Sequence, residues 1–210
     1  GAAGGEARGT ASRGKRLGGR NAGFTGPVGA GGKETTEGAK LYIDAVNAKG
    51  GVGGQKIELV SLDDKFDPKL AAENARKLVE EQNVVAMFLT RGTPHTEAVL
   101  PVIDKHGVPL VGPSSGAMVL HQPVKKHVFN VRATYQREAE KAVTHLHSIG
   151  RSRIRIVYAD DSFGAAGHSG AQKAPATANL KTYAREQFDR DSPASRPLDP
   201  QERQFIAQTL

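Results

Sequence analysis

The chain has 210 residues, a formal net charge of +7, 38% hydrophobic residues and no cysteine. Absence of thiols excludes disulfides and thiolate metal sites, and no apolar run approaches the ~18 residues of a membrane-spanning helix. Much of the charge lies in the first twenty residues, where Arg8, Arg13, Lys15, Arg16 and Arg20 stand against Glu6 alone. The rest is only mildly basic, and with four Tyr, seven Phe and no Trp it lacks the stacking platforms of a nucleic-acid binder.

Residues 1–21 are rich in Gly, Ala and Arg, with Leu17 as their one large apolar residue. Such a segment cannot bury enough surface to offset its ordering entropy, so it is expected to be disordered. It also lacks the apolar h-region, about seven residues or more, of an export signal. Order is expected from Phe24 onward. Over residues 33–48, Ala39, Tyr42, Ile43 and Val46 recur at helical spacing until Gly50-Gly51 stops the pattern. The glycine-rich turn 50–54 feeds a strand at Lys56–Leu62, closed by Asp63-Asp64. Asp67-Pro68 reads as an N-cap followed by proline at the first helical position, opening a helix to about Gln82 with Ala71, Ala75, Leu78 and Val79 inward.

Val84–Leu89 is a continuous apolar run and predicts a fully buried strand. A helix over 94–106 follows and stops at Gly107. Val108–Val111 is the next buried strand, Met118–Leu120 allows only a short helix before Pro123, and Val128–Val131 is another strand. A helix over 135–149, a strand at Ile154–Tyr158 and a helix from Phe163 to Lys173 complete the alternation. Its period predicts a doubly wound α/β sheet. Beyond Ala174 the pattern decays, with one possible strand at Lys181–Phe188, a loop at 189–197 and a short helix at Pro200–Leu210.

The loops Thr90-Arg-Gly-Thr93 and Gly112-Pro-Ser-Ser-Gly-Ala117 both follow strands. In an open parallel sheet, ligands sit outside the carboxyl ends of the strands. Small hydroxyl and glycine residues there suit a small polar ligand held by amides and hydroxyls. Gly26–Lys33 fails the phosphate-loop pattern, because an extra glycine precedes Lys33 and Glu34 replaces the metal-binding hydroxyl. Gly112-Pro-Ser114-Ser-Gly116 matches G-x-S-x-G, and Asp160 or Asp161 followed by His168 would supply the order acid, then histidine. A serine hydrolase acting through Ser114 is therefore the rival reading. Against it, Pro123 cuts short the helix that a nucleophile elbow requires. His145 and His147 lie two apart on a helix and point to opposite sides, so no joint metal site is expected.

Thr25-Gly-Pro27, Gly38-Ala-Lys-Leu-Tyr-Ile-Asp-Ala-Val-Asn47, Gly50-Gly-Val-Gly-Gly-Gln-Lys-Ile-Glu-Leu59 and Asp63-Asp64 with Asp67-Pro68 follow one another in a recognisable order. Gly92-Thr93-Pro94, Gly107-Val-Pro109, Gly112-Pro113, Phe129-Asn-Val-Arg132 and Asp160/Asp161 with Phe163-Gly164 continue it. From Gly23 to Lys173 the chain resembles the ABC-transporter solute-binding proteins of the leucine/isoleucine/valine class, the receptor ligand-binding-region family. The resemblance implies a type I periplasmic-binding-protein fold of two α/β lobes, the first at 22–132 and the start of the second at 133–174, with 175–210 irregular. It implies non-catalytic capture of a small amino-acid-like solute, a branched-chain amino acid or an amide, for ABC permease subunits in the periplasm, with no cofactor and no metal. A ligand-sensing regulatory domain on the same fold is a further alternative.

By the same resemblance, Gly92 and Thr93 would offer an amide and a hydroxyl to the ligand carboxylate. Ser114, Ser115 and Gly116 would bracket the carboxylate and ammonium, and Phe163 would cover the ligand from the second lobe. The chain departs from the family pattern at both ends. No apolar first strand precedes Thr25, the first-loop aromatic is replaced by Ala30-Gly31-Gly32, and the second lobe stops after little more than one β-α-β unit. A truncated or frame-disturbed chain with unpaired sheet edges, prone to aggregate, is expected from that pattern.

Overall fold

In a computed structural model the backbone is described for residues 15–175 and 182–188, and side chains for the first of these ranges, Pro27 excepted. Five parallel strands form the first sheet: β1 (Lys15–Ala22), β2 (Lys56–Asp63), β3 (Ala86–Phe88), β4 (Leu110–Val111) and β5 (Val128–Phe129). Their spatial order is β2-β1-β3-β4-β5. Between them run α1 (Gly29–Ala48), α2 (Pro68–Arg76, continued by a π turn at Lys77–Glu81) and α3 (Thr93–His106), with a 3-10 turn at Met118–Leu120. A second unit contains α4 (Tyr135–Ser148), β6 (Arg153–Ala159), α5 (Ser162–Lys173) and β7 (Thr182–Phe188), with β6 and β7 paired in parallel. The expected loop at 189–197 and helix at 200–210 lie outside the described residues.

The main correction concerns the amino-terminal segment. Disorder was expected through residue 21, yet Lys15–Ala22 forms the strand that pairs with β2 from Lys15↔Lys56 to Ala22↔Asp63 and with β3 at Gly18–Arg20. A strand this poor in apolar side chains is held because its neighbours supply the packing. Over Gly19, a Cβ would stand 2.9 Å from Met87 Sδ, 3.1 Å from Val84 Cγ2 and 3.3 Å from Leu78 Cδ1, so those side chains fill the space above the glycine. Its polar side chains are also satisfied. Asn21 donates to the Ala71 carbonyl at 3.3 Å and accepts from Asn74 at 3.1 Å. On the opposite face Arg20 is fully buried, donating to Thr36 Oγ1 at 2.9 Å, to Thr35 Oγ1 at 3.1 Å and to the Leu89 carbonyl. Buried polar groups with partners are tolerated where unpaired ones are not.

Ala71, Ala75, Leu78 and Val79 point inward as expected, and join Met87, Val99, Ile103, Leu110 and Val128 in one core. Asp67 caps α2 by accepting from the Lys69 amide at 2.7 Å. Gly107 ends α3 in the left-handed region, at φ 64°. The strands read as buried on both faces are covered on one only. Met87, Leu110 and Val128 pack under α2 and α3, while Val85, Val111, Phe129 and Val131 are exposed, because α1 lies on the other face beside β1 and β2. On α1 itself Gly29, Gly32 and Thr36 are the buried positions, and Tyr42, expected inward, faces solvent.

In the second unit Val143, Ile154, Ala171 and Ala174 form a smaller core. α4 and α5 approach closely through Gly170, whose missing side chain admits the backbone of Gln136. An apolar cavity of about 550 Å³ runs between α4, β6 and α5. Among the described residues no helix is long and apolar enough to cross a membrane.

Candidate functional site

The carboxyl ends of β1 to β4 converge, and each releases its chain into a loop of small or polar residues. After β2, Asp63 accepts from the amides of Phe24 and Lys65, at 2.8 and 2.9 Å, and from the Thr25 hydroxyl at 2.6 Å. Desolvation works against its charge, but the hydrogen bonds from Thr25, Phe24 and Lys65 outweigh it and hold the carboxyl below its ordinary value. The neighbouring Asp64 is fully buried. Desolvation pushes its carboxyl up, against the Phe66 amide that donates to it and the attraction of His95 and Arg20. Adjacent acids thus titrate in opposite directions, because one faces donors at the surface and the other faces the interior.

The loops after β3 and β4 are stitched together. The Ser114 amide donates to the Thr90 carbonyl at 2.7 Å, and Arg91 and Ser114 bridge in parallel. Thr93 Oγ1 and Ser115 Oγ lie 2.8 Å apart, and Ser115 Oγ also accepts from the Ala117 amide at 3.2 Å. Whichever hydroxyl donates across that pair, one hydroxyl proton remains to be given to a further acceptor. Thr93, Ser115 and Gly116 are buried, whereas Gly92 and Ser114 are half-buried at the surface of the cradle. Gly92 has φ 93°, a conformation that favours glycine, and His95 packs directly against the side where a Cβ would stand. His95 is itself buried and stacked on Phe66 at 4.2 Å between ring centroids.

The second unit reaches this cradle through α4. The Tyr135 amide donates to the Gly116 carbonyl at 2.7 Å, and a Cβ on Gly116 would come within 2.6 Å of the Ala133 carbonyl oxygen. The Tyr135 ring meets Phe163 edge-on at 5.0 Å, and Phe163 is 40% exposed. A second tie joins the two units, from Ser162 Oγ to Glu97 Oε2 at 2.7 Å. Thr93, Ser114, Ser115 and Gly116 are therefore brought together with Gly92, and Phe163 is connected to them through Tyr135. Sequence reasoning missed Tyr135, Glu97 and Arg91. Only the aromatic that opens α4 carried a signal, being the first residue after the N-cap Thr134.

Two guanidinium groups, those of Arg20 and Arg91, lie near each other at the start of α1. Arg20 is pushed down to about 10 from an ordinary value of 12.5, by burial first and by the nearby charge of Arg91 second, with Asp64 opposing. It remains a cation at neutral pH. The groups proposed for a hydrolase are engaged elsewhere: Asp161 caps α5 by accepting from the Gly164 amide at 2.9 Å, and His168 lies face to face with Tyr158 at 4.4 Å. Both engagements belong to the packing of the second unit, and Ser114 is followed by a single 3-10 turn where a nucleophile elbow has a long helix. Among the described residues no cluster of three or more His, Asp or Glu side chains is arranged to hold a metal ion.

Comparison with known proteins gives a consistent result. The family profile described as "Periplasmic binding protein" matches residues 19–195. The chain is 29% identical over 150 residues to Leu/Ile/Val-binding protein homolog 7 of Brucella suis biovar 1, covering 67% of this chain and 37% of that protein. It is 30% identical over 145 residues to the Leu/Ile/Val-binding protein BraC3 of Rhizobium johnstonii, covering 67% and 38%. A substrate-binding periplasmic protein from Ralstonia solanacearum superposes with a TM-score of 0.78 at 29% identity, over 85% of this chain and 50% of that one. The chain thus spans well under half the length of the curated relatives it matches.

Proposed function

Because the chain belongs to the periplasmic binding protein family, we propose that it captures a small amino-acid-like solute, held by its carboxylate, for an ABC importer. The observation that carries this reading is the cradle of Gly92, Thr93, Ser114, Ser115 and Gly116, where two loops from adjacent strands are fixed to each other with a hydroxyl proton left to donate. A carboxylate desolvated there exchanges water for charge-assisted hydrogen bonds, which are about twice as strong as neutral ones. No bond is made or broken; the work is binding, orientation and exclusion of water. Phe163, resting on Tyr135, supplies the apolar surface of the second unit above the ligand. The whole protein then works in the periplasm, with permease subunits as its partners.

The test is calorimetric titration of the full chain with small carboxylates, amino acids and amides, repeated on Thr93→Val. Valine keeps the shape and removes the hydroxyl. Loss of one hydrogen bond to a charged group costs about 1.5–3 kcal/mol, or roughly 10–150-fold in affinity. Saturable one-to-one binding weakened by that factor supports the reading. Undiminished binding by Thr93→Val overturns the assignment of the cradle.

A further inference from the structure

Arg91 stands between the Gly92-Thr93 cradle and the first turn of α1. Its backbone bridges Ser114 across the cradle, its Nη1 donates to the Val28 carbonyl at 3.5 Å, and its guanidinium lies against Gly31, where a Cβ would stand 3.0 Å from Nη2. Only a residue without a side chain at 31 lets the guanidinium occupy that place, and the stretch Gly29-Ala30-Gly31-Gly32 provides it. The side chain is half-buried and forms no ion pair among the described residues.

Three acids at this end of the sheet are engaged with other donors. Asp63 is held by Phe24, Thr25 and Lys65, Asp64 by the Phe66 amide, and Glu97 by Ser162. Arg20, beneath, is a second cation whose partners are hydroxyls and carbonyls. The loop that carries Gly92 and Thr93 therefore bears a cation that no ion pair among the described residues neutralises.

We propose that Arg91 determines specificity, selecting a ligand that carries a second anionic group beyond the carboxylate held at Gly92 and Thr93. The class is a small dicarboxylate or an acidic amino acid rather than an apolar zwitterion. The chemistry runs in both directions. A second carboxylate meets the planar guanidinium with paired N–H donors. An apolar side chain in the same position takes water from the guanidinium and returns nothing, which is a penalty against the wrong ligand. The inference rests on the solute-capture reading above and departs from the branched-chain or amide chemistry implied by the family resemblance.

The experiment uses the full 210-residue chain, titrated calorimetrically with succinate, L-glutamate and L-leucine, as the parent protein and as Arg91→Leu and Arg91→Lys. The expected result is that the parent binds succinate or glutamate about tenfold or more tightly than leucine. Arg91→Leu abolishes that preference without lowering affinity for leucine, and Arg91→Lys restores part of it. A parent protein that prefers leucine overturns the inference without any variant and leaves solute capture standing. Acid binding unchanged by Arg91→Leu also overturns it alone. If none of the three ligands gives a saturable signal, the inference fails, and the wider panel of carboxylates, amino acids and amides decides the capture reading.

Discussion

Gly18 and Gly19 are adjacent in β1 and face opposite sides of the sheet, so the same substitution at each reads the strand's presence and register. A Cβ on Gly18 meets Leu59 Cδ1 at 3.5 Å, an ordinary contact. One on Gly19 meets Met87 Sδ, Val84 Cγ2 and Leu78 Cδ1 at 2.9, 3.1 and 3.3 Å, and all three side chains are buried in the core. Replacing glycine by alanine restricts the unfolded chain by about the same amount at both positions, worth roughly 0.4–1 kcal/mol in favour of folding. That gain stands alone at Gly18. At Gly19 it is opposed by overpacking, which costs typically about 1–3 kcal/mol. The two variants should therefore differ by about 1–3 kcal/mol, with Gly18→Ala slightly more stable than the parent and Gly19→Ala less stable. Urea unfolding followed by far-ultraviolet circular dichroism measures the difference, provided the slope with denaturant is unchanged. Equal stabilisation by both substitutions would mean that this segment is not packed in the sheet. A larger loss at Gly18 would mean a register shifted by one, since a one-residue slip exchanges the two faces.

The adjacent acids after β2 predict opposite pH dependences. Asp64 has a raised carboxyl in the folded chain, so the native state holds more protons between the ordinary value of 3.8 and the raised one, and stability falls as pH rises through that window. Asp64→Asn should be more stable than the parent at neutral pH and indistinguishable from it at pH values below the ordinary carboxylate range. Asp63 is lowered, so its contribution is present above 3.8 and disappears as pH falls through the folded value. Asp63→Asn should lose stability at neutral pH and match the parent in acid, and chemical unfolding across that range checks both. Gly170→Ala places a methyl group against the Gln136 backbone where α5 crosses α4. It should destabilise the second unit by about 1–3 kcal/mol, detected as loss of amide-exchange protection in α4 and α5 before any loss in α2 and α3.

Most of the alternation was legible because its helices carry unambiguous ends. Asp67-Pro68 and Gly107 mark boundaries by local chemistry that survives any tertiary context. β1 was illegible for the opposite reason. Its apolar surroundings are contributed by Met87, Val84 and Leu78, residues remote in sequence, so a strand of Lys, Arg, Gly and Asn carries no pattern of its own. The same asymmetry governs the site. Small residues at strand ends marked the loops at 90–93 and 112–117, and the two loops do meet; that they hold a ligand is the proposal. The proposed selectivity for an anionic ligand depends on the neighbour of those loops. An arginine in Thr90-Arg91-Gly92-Thr93 has no defined direction in the sequence. The glycine sixty residues earlier in the chain, Gly31, leaves the space that the guanidinium fills. On the proposed reading, position is written locally and selectivity in a contact between segments.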